Sequence, residues 1–156
     1  MAIQEDWQSY KDPAEGYQLS HPPGWAITSE DTKTAFREPE GRAEFVVWRL
    51  SEDCDSVRKG LRAGAGFNLH TVREFQVTIA HQQPMPAVEF LDTMSNLPEF
   101  RSIVPSRAGA GCFQLQWRRA QEENAAALSA ALSRILSTFD VLPERPLGGP
   151  SSTAID

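Results

Sequence analysis

The residues that could do chemistry are few and scattered along the chain. Histidine occurs at His21, His70 and His81, and cysteine at Cys54 and Cys112. Hydrolysis through a side chain needs a nucleophile, a base and an orienting group that converge in space. No histidine stands in a nucleophile motif, and Gly-x-Ser-x-Gly is absent. His21 shares a strand face with Tyr17 and Leu19 and reads as a half-buried side chain beside the Pro22-Pro23 turn. His70 and His81 flank a strand at its two ends. No catalytic residue is assigned, and the chain is expected not to be an enzyme. An enzymatic reading would need His21 or His81 to meet a carboxylate and a hydroxyl within hydrogen-bond reach.

Metal and cofactor chemistry find equally little purchase. Zinc wants three or four Cys, His or carboxylate ligands at short spacing, and neither paired cysteines nor His-x-x-x-His occur. Glu52-Asp53-Cys54-Asp55 lacks the register, mid-loop Gly and terminal Glu of a calcium loop. Acids at the start of a helix explain it more economically. The stretches Arg62-Ala63-Gly64-Ala65-Gly66 and Arg107-Ala108-Gly109-Ala110-Gly111 echo one another, but carry neither a Walker loop nor a dinucleotide turn. Glu89 and Asp92 lie three apart in a strand and project to opposite faces, so they cannot work as an acid/base pair. No metal and no cofactor is expected. A single bridge between Cys54 and Cys112 is open, with two reduced, partly buried thiols the plainer expectation.

The elements that would position these residues are short strands and two helices. Trp7–Lys11 and Tyr17–His21 are joined by the turn Asp12-Pro13-Ala14-Glu15-Gly16 into a β-hairpin. Pro22-Pro23-Gly24 breaks the second strand before Trp25–Thr28, and Thr34–Glu38 forms another strand ahead of the Pro39-Glu40-Gly41 turn. Phe45–Leu50 is apolar on both faces for most of its length, which predicts a sheet with layers above and below it.

Ser51 or Asp53 then caps a helix whose Cys54, Val57 and Leu61 share a face, ending near Ala63–Gly66. Thr71–Ala80, Ala87–Met94, Phe100–Val104 and Gly111–Arg119 follow as an antiparallel meander. In the last of these, Phe113, Leu115 and Trp117 alternate with Gln114, Gln116 and Arg118, with Arg118-Arg119 its solvated end. The closing helix carries Glu122 and Glu123 in its first turn. Its stripe is Ala125, Leu128, Leu132, Ile135 and Phe139, widened by Leu136, with Ser129, Ser133 and Arg134 toward water and Pro143 as terminator.

With 156 residues the chain fits one ordinary domain, expected over 1–142, with a flexible tail over 143–156 rich in Pro, Gly and small polar residues. The formal net charge of −6 argues against general nucleic-acid binding and against docking on anionic membranes. Met1–Trp7 has neither the basic start nor the apolar run of a signal peptide, and no stretch approaches the roughly 20 apolar residues that span a bilayer. The chain as it stands reads as soluble and cytoplasmic; one trimmed of an export signal would read the same way. Lysine is confined to Lys11, Lys33 and Lys59 while arginine is frequent, a composition that suggests a GC-rich bacterial genome.

Two motifs carry a family resemblance. The opening Tyr10-Lys11-Asp12-Pro13-Ala14-Glu15-Gly16-Tyr17-Gln18-Leu19-Ser20-His21-Pro22-Pro23-Gly24-Trp25 and the closing Ile135-Leu136-Ser137-Thr138-Phe139 resemble those of the PsbP-like superfamily. The similarity runs from Trp7 to Leu142. It implies an α+β fold, an α/β/α sandwich with a central antiparallel sheet and helices on both faces. This is the fold shared by the extrinsic photosystem II protein and a Ran-binding nuclear import factor. Such proteins bind macromolecular partners without a common active site, so the resemblance implies a non-enzymatic accessory module with a protein partner. It supplies no functional residues, and the partner-binding positions are unassigned. The alternative is a small-molecule or lipid carrier with a pocket between sheet and helix.

Overall fold

The computed structural model describes residues 6–12, 15–62, 69–80, 84–105, 111–119 and 125–142. Along these residues run β1 (Gln8–Asp12), β2 (Tyr17–His21), β3 (Ala26–Glu30), β4 (Lys33–Arg37), β5 (Ala43–Leu50), α1 (Cys54–Arg62), β6 (Leu69–Val77), β7 (Met85–Asp92), β8 (Leu97–Pro105), β9 (Cys112–Arg119), α2 (Ala125–Thr138) and β10 (Asp140–Val141). The expectations placed on His81, Gly64, Gly66, Arg107–Ala110, Glu122, Glu123, Pro143 and the tail 143–156 lie outside the described residues.

The opening hairpin forms as its turn chemistry predicts. The Asp12 carboxylate accepts from the Glu15 N–H at 3.0 Å, and the Asp12 carbonyl accepts from the Gly16 N–H at 2.8 Å. The hairpin does not join the main sheet, however. It makes a small sheet of order β1-β2-β10. The main sheet has seven strands in the order β3-β4-β5-β9-β8-β7-β6, with antiparallel neighbours throughout. The segment holding α1 carries the chain from β5 in the middle to β6 at the far edge. The meander then returns strand by strand until β9 pairs with β5.

The two faces of this sheet are covered unequally. On one face α2 packs against β5 and β9 and also against β2 of the small sheet. Phe36, Phe45, Phe113 and Leu115 point into that layer with Leu128, Leu132 and Ile135 of α2 and Tyr17 and Leu19 of β2. All are buried, each stabilising by about 1.5–3 kcal/mol relative to exposure. On the other face α1 packs against β8. Asp53 caps it, its carboxylate accepting from the Asp55 N–H at 3.0 Å and the Ser56 hydroxyl at 2.7 Å. Cys54 and Val57 then sit on a smaller apolar cluster of Val88, Phe90, Ile103 and Cys112.

Four sequence expectations need correction. The closing helix stops at Thr138 rather than at Pro143. The chain there turns into β10, which pairs with β2 through Asp140↔Gln18 and Val141↔Tyr17. Phe139 thereby enters the core, stacked on Tyr17 at 5.5 Å and edge-on to Phe113 at 5.5 Å. Ser129 and Arg134 do not simply face water: the Ser129 hydroxyl accepts from the Arg119 guanidinium, and Arg134 lies 4.1 Å over the Trp7 ring. His21 is fully buried rather than half-buried, because its face of β2 packs onto the main sheet at Phe36. Finally, β5 is covered on both faces only in part. Phe45 and Val47 lie under α2; on the opposite face Val46 is buried and Leu50 joins the cluster beneath α1, while Glu44 and Trp48 are only half-buried.

Candidate functional site

Among the described residues α1 packs on one end of its face; over the rest, across β3, β4, β5, β9 and the start of β8, Thr28, Glu30, Arg37 and Arg118 are exposed while Val46 and Glu99 are buried. Strand register decides which side chains meet there. Arg37 of β4 lies across from Glu44 of β5, Glu44 across from Arg118 of β9, and Arg118 across from Glu99 of β8. The row thus alternates in sign over four strands, and opposite charges directly across a sheet attract. Arg118 Nη2 stands 3.2 Å from Glu44 Oε1. Arg101 Nη2 stands 2.6 Å from Glu99 Oε2 and continues the row toward α1, its guanidinium 5.7 Å over the Phe90 ring. The Glu99 and Arg101 side chains are largely buried, whereas that of Arg118 is 47% exposed and so offered to solvent.

A second row on the same face runs Glu30, Lys33, Trp48 and Gln114. Lys33 Nζ sits 5.0 Å over the half-buried Trp48 ring, a cation–π contact. The Trp48 indole N–H is itself shielded from water and meets no acceptor among the described residues. Between the rows lie Ala35, Val46 and Gln116, so small and neutral groups separate the charges.

The β4–β5 turn holds one end of the first row. Glu38 Oε1 accepts from the backbone N–H groups of Glu40 and Arg42 at 3.0 and 2.9 Å, and Oε2 accepts from Arg42 Nη2 at 2.7 Å. The Arg42 side chain, followed by those backbone donors, holds the Glu38 carboxyl down at about 2 against a smaller opposing effect of burial. Two shallow depressions adjoin the turn. One of about 250 Å³ is lined by Arg37, Arg42, Glu44, Leu97 and Arg118 among others. The other, of about 160 Å³, is lined by Thr28, Glu30, Lys33, Ala35, Arg37 and Glu44.

The residues singled out for catalysis in the sequence do not gather here. His21 lies in the core with Nδ1 2.9 Å from the Pro22 carbonyl oxygen and its ring 5.6 Å from Phe36. His70 is exposed on β6, opposite Leu91. Glu89 pairs with Arg73 at 2.7 Å, while Asp92 accepts from the Met94 N–H in the next turn. Among the described residues no group of three or more His, Cys, Asp or Glu side chains is placed to hold a metal ion. Nor is any helix there long and apolar enough to cross a membrane. Cys54 and Cys112 are both free thiols beneath α1.

Sequence reasoning missed the charged row because its members come from four strands and only the register unites them. One signal was present: the polar side of β9, Gln114, Gln116 and Arg118, marks a wet face at the middle of the sheet.

No protein-family model matches the chain, and no curated protein matches it. Solved structures do. The Saccharomyces cerevisiae Ran-binding protein Mog1p superposes with a TM-score of 0.54 at 9% identity, covering 90% of this chain and 97% of that one. A point mutant of Mog1 gives 0.54 at 10% identity, covering 88% and 97%. The chain therefore shares the α+β fold of Mog1p, the PsbP-like fold that its opening and closing motifs led one to expect.

Proposed function

We propose that this chain is a non-enzymatic protein-binding module whose partner seats on the open half of the face that bears α1. The observation that carries this reading is the alternating row Arg37, Glu44, Arg118 and Glu99, with Arg37 and Arg118 exposed, on the side of the sheet opposite the one packed by α2. Exposed ion pairs add little to the stability of a fold. Across an interface, by contrast, patterned charge selects partners and speeds encounter. Trp and Arg are also the residue types that most often anchor protein contacts, and Arg37 and Arg118 of one row share this face with Trp48 of the other.

One structure of this fold, that of Mog1p, is described as a Ran-binding protein, which supports a protein as the class of partner. At 9–10% identity it is the fold that carries over, and the partner of this chain is its own. A carrier of small molecules or lipids is the weaker reading. The depressions on this face hold about 160 and 250 Å³ and are lined largely by charged groups. Ordinary ligand pockets run from roughly 300 Å³ and are mostly apolar.

The test is capture of a partner by the wild-type chain and by a Lys33→Gln, Arg118→Gln variant, with melting curves as a check on folding. Partner capture is expected to weaken with salt in the wild type and to fall at least about tenfold in the variant, while the variant still melts cooperatively. Full capture by a folded variant would remove the open face from the account.

A further inference from the structure

Beneath α1 lie two thiols that the proposed partner face does not use. Cys54 is the first residue of α1, and Cys112 is the first residue of β9. The Cys54 thiol donates to the carbonyl of Gly111, the neighbour of Cys112, at 3.7 Å, and it sits on the cluster to which Cys112 belongs. The Cys54 thiol is also close enough to Cys112 to raise its pKa. Cys112 is fully buried, whereas Cys54 is only partly buried.

We propose that Cys54 and Cys112 are a redox modification site: a small-molecule disulfide such as glutathione disulfide converts them into an internal disulfide that pins the start of α1 to β9. The exchange takes two steps. The Cys54 thiol, as its thiolate, attacks one sulfur of glutathione disulfide; one S–S bond breaks, a Cys54–glutathione bond forms, and glutathione leaves with the displaced electron pair and takes up the proton. Cys112 then attacks the Cys54 sulfur, the mixed disulfide breaks, and a second glutathione leaves with the Cys112 proton. Two thiols are oxidised and one disulfide is reduced, so the electrons balance.

The surroundings fix the order of these steps. Burial, and then the Cys54 thiol beside it, push the Cys112 thiol up to about 12, against the smaller opposing influence of Arg58 and Arg49. Cys112 is therefore a poor first nucleophile. Once Cys54 carries glutathione, burial still raises Cys112 and only the smaller contribution of the Cys54 thiol is lost, so the attack by Cys112 is the slow step. Gly111, at a φ of 86°, lies against the Leu50 carbonyl, so Cys54 at the helix start supplies the movement that brings sulfur to the roughly 2 Å of a disulfide.

The test treats the full native chain with glutathione buffers of increasing disulfide fraction, quenches with an alkylating agent and weighs the intact protein. The expected product is lighter than the reduced chain by two hydrogens and carries no alkyl group. Cys112→Ala should stop instead at one glutathione on Cys54. Bridging should also raise the melting temperature by roughly 5 °C or more and slow hydrogen exchange across α1. A wild-type chain that keeps two alkylatable thiols, or that halts at the mixed disulfide, overturns the proposal. So does a bridged product in which α1 exchanges faster, since the bond would then not pin the helix.

Discussion

Glu44 and Arg118 face each other across the β5–β9 boundary, Oε1 to Nη2 at 3.2 Å, at the centre of the open sheet face. Arg118 is nearly half exposed and Glu44 about a fifth, so water screens the pair. Glu44→Gln should therefore change the unfolding free energy by less than about 1 kcal/mol in urea titrations, while weakening partner capture. A loss several times larger would make the pair part of the fold's support and undercut its assignment to recognition.

Glu38 behaves differently, because its carboxylate organises the β4–β5 turn. Its folded pKa of about 2 lies below the ordinary 4.5, chiefly through the Arg42 side chain. A depressed carboxyl stabilises the fold above its unfolded pKa, and that contribution fades as pH falls from about 4.5 through about 2. Glu38→Gln should lower stability at neutral pH by about 1–3 kcal/mol and flatten the melting temperature across this acid range. Parallel wild-type and variant curves would place the acid sensitivity elsewhere.

Gly111 and Gly24 adopt nearly the same left-handed backbone, φ +86° and +85°, in different surroundings. A Cβ on Gly24 meets open space, whereas one on Gly111 collides with the Leu50 carbonyl oxygen. Gly24→Ala should cost about 1 kcal/mol from backbone strain alone. Gly111→Ala adds the collision and should cost at least about 2–3 kcal/mol. Equal losses in denaturant titrations would contradict the close approach of β5 and β9 at this point.

Tyr17 is buried with its hydroxyl beside Thr34 and Tyr10 but without a hydrogen bond of good geometry, and burial raises its pKa well above the ordinary value. Removing an unpaired buried polar atom is favourable or neutral. Tyr17→Phe should therefore keep the stacking on Phe139 and leave stability unchanged or higher by up to about 1 kcal/mol, as read from thermal melts. A clear loss would show that the hydroxyl is paired in solution.

Much of this architecture can be read from residue order. The hairpin over β1 and β2, the meander from β6 to β9 and both helices follow from period and turn chemistry, as the alternation of Phe113, Leu115 and Trp117 with Gln114, Gln116 and Arg118 illustrates. What depends on distant partners could not be read. Asp140 and Val141 are too short a strand to show a period, and only their pairing with Gln18 and Tyr17 makes them one. Arg134 looks solvated on a helical wheel because Trp7 is far away in sequence. The charged row has the same character: Arg37, Glu44, Arg118 and Glu99 become neighbours through register alone. The absence of a sequence motif for the site is what a binding face, assembled from side chains of several strands, would produce.

The most direct measurement replaces Gln116, on the open face between the two charged rows, with a photoreactive amino acid, and Ser133, exposed on α2 at the opposite side, in a parallel chain. Both are irradiated with a native extract and the adducts identified by mass spectrometry. The account predicts a discrete protein adduct from position 116, suppressed by excess unlabelled chain, and none from position 133. Adducts from position 133 alone, or none from 116 under conditions in which the tagged chain retains a partner, would contradict it.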